Sequence, residues 1–400
     1  MSLFYGWRGW RQFKQLPWEW RNIVIYSESG QDWHQFSGLI GYVNQNLGCK
    51  TCYVTSDRSD PGFSYVHENF HAIYLPDGLF RTIFFQVNQS DIFVLTMMDL
   101  GNFQLKRSLH PVHYVYLFHS MGSTHMVDNE NSFDHYDSLF CAGPHQVAEI
   151  RKREEIKHQP AKHLFDYGHP RLEEVIELGK VCRMEKHDGD HRTVLIAPTW
   201  GDTSIFNTCG RELIGVLLNA GYHVIMRPHH QSRRQTPEVI AALRDTYAAH
   251  QRFEYIDRMD ETDSILRSDI LVSDWSGITM EYAMGLEKPV LFIDVPRRIR
   301  NPNWKELGIE PVEASIRHLM GEILSPESLD EAPAAIERLL ATPGRFRDEV
   351  RELREQKVFR LGHSIPDGAT EIKRLADERL EARQVREQLA GTSAPILSDD

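Results

Sequence analysis

Residues Leu271–Ala283 read LVSDWSGITMEYA. The apolar run DILV that leads into them predicts a buried strand. Ser273, Asp274, Ser276 and Gly277 supply the small and polar residues of a turn. From about Ile278 the pattern TMEYAMGLE is that of a helix. Strand, turn and helix in this order form the repeating unit of a parallel sheet, in which crossover helices join neighbouring strands. A helix start presents unpaired N–H groups and partial positive charge, so it attracts phosphate. Gly277 lets a ligand approach the backbone closely, and the hydroxyls of Ser276 and Thr279 add donors. Glu281, one turn in, suits the hydroxyls of a ribose or sugar. The plainer alternative makes Ser276 an N-cap and Glu281 a solvated first-turn acid.

Outward from this unit the same grammar repeats. On the C-terminal side PVLFID is the next strand; upstream lie TVLIAPTW, YHVIMRPHH and FEYID. Before these, NIVIYS, KTCYVTS, HAIYLPD, DIFVLTMM, HYVYLFHS, SLFCAG and HLFDYG form an earlier series. Continuous apolar runs separated by helical stretches indicate parallel strands buried on both faces. The charged stretch PRLEEVIELGKVCRMEKHDGDH stands between the two series as an inter-domain connection. The expected fold is therefore α/β, with two doubly wound Rossmann-like domains facing a central cleft. Four segments follow: a Trp- and Arg-rich arm over 1–21, an N-terminal Rossmann-like domain over 22–184, a C-terminal Rossmann-like domain over 185–345, and C-terminal helices and tail over 346–400. In open parallel sheets ligands sit beyond the carboxyl ends of the strands, and every polar cluster below lies at such an end.

Composition bounds the partners. The chain has 400 residues, enough for two cores, with 41% hydrophobic and 26% charged residues, as in soluble globular proteins. A net charge of −12 argues against nucleic acid, whose phosphate backbone needs a dense basic face. No apolar run approaches the roughly 18–20 residues that span a bilayer, and the first residues lack the apolar core of a signal peptide. Five cysteines, an odd number, argue against a disulfide framework and for a reducing cytoplasm. Cys49 and Cys52 make one CxxC without a second pair, and the segment reads as buried strand rather than as a zinc site. The opening MSLFYGWRGWRQFKQLPWEWR holds Trp7, Trp10, Trp18 and Trp20 among Arg8, Arg11, Lys14 and Arg21. Such a mixture suits the inner face of a membrane or an arm packed on the protein itself or on a second copy.

Three further strand ends carry chemistry. His119 closes YVYLFH; a neutral imidazole there is placed to take a proton from an attacking hydroxyl, or to be hydrogen-bonded structure. Arg227, in MRPHHQSRR, offers a planar fork of donors for phosphate. Thr199, Trp200 and Asp202, in IAPTWGD, stand at the first strand end of the second domain. No D-x-D pattern lies at a strand end, so no metal and no cofactor are expected. Helix dipole, arginine and histidine would neutralise a pyrophosphate instead.

The order APTWGD, RPHH, SDWSGITMEYA and KPVLFID, with LFHSMGS and YGHPR earlier, resembles the CDP-glycerol glycerophosphotransferase family. The likeness runs over roughly residues 110–295. It implies a glycosyltransferase-B-like fold, a CDP-activated donor and transfer of a phosphoglycerol unit to a hydroxyl of a teichoic acid, a capsular polymer or a lipid-linked precursor, with release of CMP. It also implies a base at His119, a phosphate-binding histidine at His229, and donor contacts from Thr199, Asp202, Arg227, Ser273, Asp274, Ser276, Gly277, Thr279 and Glu281. Ser120, Gly122 and Ser123 fall on the acceptor side. The chain departs from the family's forms in four places. HSMGSTHM replaces HG-x-x-x-K; Gly201 stands where an arginine follows the tryptophan; His230 replaces a proline; and Glu281 replaces an aspartate. The altered histidine segment keeps open a nucleotide-sugar glycosyltransferase of the same fold. A non-catalytic nucleotide-binding scaffold is a further alternative. A hydrolysing epimerase lacks its usual acidic signature in the first domain.

Overall fold

The computed structural model describes residues 2–98, 100–101, 105–126, 128–184, 191–257 and 262–392. Helix α1 (Ser2–Gln15) precedes strand β1 (Ile23–Ser27). Then come α2 (Trp33–Gln45), β2 (Thr51–Thr55), β3 (Phe70–Tyr74), α3 (Leu79–Val87), β4 (Ile92–Leu95), β5 (His113–Leu117) and β6 (Ser138–Cys141). Helix α4 (Pro144–Lys157), β7 (His163–Asp166) and α5 (Pro170–Met184) follow. The seven strands form one parallel sheet ordered β3-β2-β1-β4-β5-β6-β7. Their residues are apolar because helices cover both faces: β1, β2, β4 and β6 are buried from end to end.

The second series begins with β8 (Thr193–Ile196), α6 (Ile205–Thr208), α7 (Gly210–Asn219), β9 (His223–Met226), α8 (His230–Gln235) and α9 (Pro237–Tyr247). It continues through β10 (Phe253–Tyr255), α10 (Asp263–Arg267), β11 (Ile270–Ser273), α11 (Ile278–Leu286), β12 (Val290–Ile293), α12 (Val312–Met320) and β13 (Gly321–Leu324). Helices α13 (Ala332–Ala341), α14 (Pro343–Lys357) and α15 (Ser364–Thr392) end the described chain. The second sheet is also parallel, ordered β10-β9-β8-β11-β12-β13. Twelve strands fall where the apolar runs predict them. β13 is the addition, a short edge strand whose side chains are only partly covered.

Strand order reverses between β1 and β4 in the first sheet and between β8 and β11 in the second. At such switch points the two loops leave in opposite directions and open a crevice above the strand ends. In the second sheet those loops are APTWGD and SDWSG.

Three packing features fix the arrangement. Helix α5, predicted as the connection, lies along α11, and glycines set their distance: a Cβ on Gly285 would come 2.6 Å from Val175 Cγ1. The core around α11 therefore mixes Leu172, Val175 and Met121 with residues of the second sheet. Helix α15 returns to the first domain, where Ala369, Ile372 and Leu375 close the core over Phe36, Leu39 and Ile40 of α2. The Trp-rich arm is mostly helix α1, which packs on α3 and β3 with Phe13 buried. The predicted GTSAPILSDD tail lies outside the described residues from 393 onward.

Candidate active site

The quoted turn has the predicted form. Gly277 is the N-cap of α11 and no side chain caps the helix; the Thr279 and Met280 amides make turn bonds to Ser276 O and Gly277 O, both at 3.2 Å. Gly277 itself is exposed. Facing it from the other domain is Ser120, whose hydroxyl lies 3.6 Å from where a Cβ on Gly277 would stand. The loop after β5 and the start of α11 thus meet across the domain boundary.

His119 precedes Ser120 and is half-buried. Burial, reinforced by the charges of His169 and His34, lowers its pKa to about 4. Its Nδ1 has no hydrogen-bond partner among the described residues. His169, in the GHPR segment, is 2% exposed and points its Nε2 to 3.5 Å from Glu281 Oε1. Burial pushes the Glu281 carboxyl up, but His169, with Arg171 and Arg227, more than offsets this and holds it below the usual glutamate value. Glu281 therefore faces a histidine of the first domain.

On the opposite side of the second sheet's switch point stands His229. It is the N-cap of α8, and its Nδ1 accepts the Gln231 N–H at 3.1 Å. An accepting Nδ1 leaves the proton of the neutral ring on Nε2, so that nitrogen is a donor. Burial, then His230, Arg298 and Arg233, lowers the pKa to about 3. Trp200 stacks on the His229 ring at 6.2 Å between centroids, and the Arg298 guanidinium lies over Trp200 at 3.3 Å. Arg227 is buried at the end of β9 and reaches toward Ser264 Oγ at 3.5 Å.

The remaining predicted residues brace this arrangement. The Asp274 carboxylate accepts from Thr199 N (2.7 Å) and Ile205 N (3.2 Å), and Ser273 Oγ donates to Ala197 O (2.8 Å). Both side chains are buried and sew the end of β11 to the loop after β8. Burial raises the Asp274 pKa to about 6, against those same N–H bonds. Thr279 Oγ1 donates to Ser276 O at 2.8 Å, inside the turn. Asp202 is exposed in the loop beyond Trp200. Ser123 joins the domains: its N–H donates to Glu313 Oε1 (2.8 Å) and its hydroxyl accepts from Val312 N (2.7 Å). A Cβ on Gly122 would meet Glu313 Oε1 at 2.5 Å, so a side chain there would displace the carboxylate to which the Ser123 N–H donates. His169, Arg298 and Glu313 were not singled out from sequence. His169 sits beside the quoted Arg171, and Arg298 lies in the basic run PRRIR beyond β12; both signals were present. Among the described residues no group of three or more His, Cys, Asp or Glu is placed to hold a metal ion.

Two doubly wound parallel sheets, with histidines, an arginine and a helix start at their carboxyl ends, make a fold of the glycosyltransferase-B type. Residues 117–295, from the end of β5 to just past β12, match the model of the family CDP-glycerol:poly(glycerophosphate) glycerophosphotransferase, as the motifs predicted. Among solved structures, the wall teichoic acid polymerase TagF, soaked with CDPG, superposes with a TM-score of 0.55 at 12% identity, over 90% of each chain. The UDP-GlcNAc 2-epimerase from Neisseria meningitidis, bound to UDP-GlcNAc, gives 0.58 at 11%, over 88% of this chain and 99% of that one. A glycosyltransferase from Rickettsia africae ESF-5 gives 0.53 at 10%, over 88% and 98%. At these identities the structures show the fold alone. No curated protein matches the sequence.

Proposed function

We propose that the chain moves a polyol-phosphate unit of the phosphoglycerol type from a CDP-activated donor to a hydroxyl of a surface or capsular polymer or its lipid-linked precursor. The observation that carries this reading is that the matched segment 117–295 contains both the His119 strand end and the α11 start, and that Ser120, next to His119, faces Gly277 across the domain boundary. The donor's phosphates lie at Ser276–Thr279 and near His229. The acceptor oxygen attacks the phosphorus bearing the polyol, the bond from that phosphorus to the CMP oxygen breaks, and CMP leaves. The acceptor proton goes to His119. Free, this ring is neutral above about pH 4; a diphosphate opposite it favours the imidazolium and raises its proton affinity. The His229 Nε2–H and the α11 amides stabilise charge on the leaving phosphate.

A glycosyltransferase using a nucleotide sugar would need the same elements, with attack at carbon. Glu281, the residue that suited a sugar ring, is turned to His169, which favours the phosphotransferase. Incubation with CDP-glycerol, and separately with UDP- and CMP-sugars, tests the choice. CMP release from CDP-glycerol alone is expected; turnover of a nucleotide sugar alone would overturn it.

The arm's contact with an anionic membrane is proposed on a narrower set of residues. Trp18 donates to Asp91 at 2.8 Å, Trp10 packs edge-on against Phe84, and Trp20 against His71. Phe4 and Trp7 stay 64% and 50% exposed, on the same helix as exposed Arg8, Arg11 and Lys14. No helix among the described residues is long and apolar enough to cross a membrane. Binding to anionic vesicles is expected to fall in a Phe4→Ser/Trp7→Ser variant; unchanged binding ends this reading.

A further inference from the structure

We infer that Arg298 is the cation that contacts the donor's diphosphate, supplied from the loop after β12 in place of an arginine next to Trp200. The inference rests on the reading of this site as a nucleotide-donor site. Gly201 adopts φ +106°, a conformation that a side chain disfavours, so the position following the tryptophan is closed to arginine by the backbone itself. The space above it is occupied all the same. Arg298 Cδ lies 3.9 Å from the Cβ position of Gly201, and its guanidinium is stacked on the Trp200 ring. Stacking on the indole fixes the plane of the fork while leaving its N–H edge free to meet an anion.

Two nearby arginines are spoken for. Arg317 pairs with Asp294 at 2.8 Å, and Arg233 pairs with Asp257. Arg298 has no carboxylate within ion-pairing distance among the described residues. Burial and the charge of Arg300 act against its own charge, and Asp128 offsets only part of this. Asp128 is itself pushed up to about 7 by burial, which makes it a weak counter-ion at neutral pH. A half-buried, uncompensated guanidinium costs stability unless a ligand completes it. Trp200 also stacks on His229, whose Nε2–H is a donor, so one indole carries two donors of the same sense.

Calorimetric titration of the full chain with CDP, CMP and inorganic pyrophosphate, for wild type, Arg298→Gln, Arg298→Lys and Arg297→Gln, tests this. Arg298→Gln is expected to weaken CDP and pyrophosphate roughly ten- to hundred-fold, and CMP less, with partial recovery in Arg298→Lys. Arg297 lies over Trp275, and Arg297→Gln is expected to leave all three unchanged. The melting temperature of ligand-free Arg298→Gln should equal or exceed that of wild type, whereas a structural role would lower it. Undiminished CDP binding in Arg298→Gln, or equal loss in Arg297→Gln, overturns the inference. If wild type binds pyrophosphate through Arg298 but does not discriminate CDP from UDP, the anion site stands and the cytidine donor falls.

Discussion

Protonating His119 or His229 means placing a charge among buried groups that oppose it, and this has a measurable sign. Both rings have folded-state pKa values, about 4 and about 3, below the ordinary histidine value. The unfolded chain therefore binds more protons below about pH 6.5, and stability falls as pH falls from there. For His119 the loss is on the order of 3 kcal/mol by pH 4. Denaturant unfolding from pH 7 to pH 4 should show a shallower decline in His119→Gln; an identical profile would mean that the ring is not held neutral by the fold. The same variant should lose transfer activity by roughly 10²–10⁴-fold while remaining folded at neutral pH. Transfer retained within a few-fold would remove His119 as the base.

Among the elements, α5 and α11 carry the site between them. Their crossing is close enough that Gly285 has no space for a methyl group, and α11 is the helix whose N-terminus faces Ser120. Gly285→Ala should push α11 from α5, lowering stability by about 1–3 kcal/mol and weakening donor binding together. A change in stability with donor affinity intact would separate the crossing from the site. That α5 and α11 are helices is legible in the sequence; that they touch is not. The central strands are legible because parallel strands covered on both faces must be continuously apolar, and the partly covered edge strands β3, β7 and β10 still carry short apolar or aromatic runs. β13 escapes because an edge strand needs only partial cover, and Glu322 within it is tolerated. Likewise, residues at strand ends can be picked from one short segment, as His119 and His229 were. His169 with Glu281, and Ser123 with Glu313, join segments from different domains, the latter pair 190 residues apart. Periodicity and turn chemistry carry no information over that distance.

The whole molecule is held as one body by that second pair and its neighbours. Ser123 Oγ accepts the buried Val312 N–H, His125 Nε2 lies 3.0 Å from Ile309 O, and Asn301 Nδ2 donates to His125 O at 3.0 Å. Ser123→Ala leaves the Val312 amide without an acceptor, a loss of about 1–3 kcal/mol. The two sheets should then open relative to one another, seen as a larger radius of gyration in solution scattering together with slower transfer. Unchanged scattering and turnover would make the contact incidental. Helix α15 has a consequence of another kind. It leaves the ribosome only after every strand of the core that it seals. Until it is made, the nascent first domain keeps the apolar face of α2 uncovered, and a chaperone has that whole interval in which to hold it.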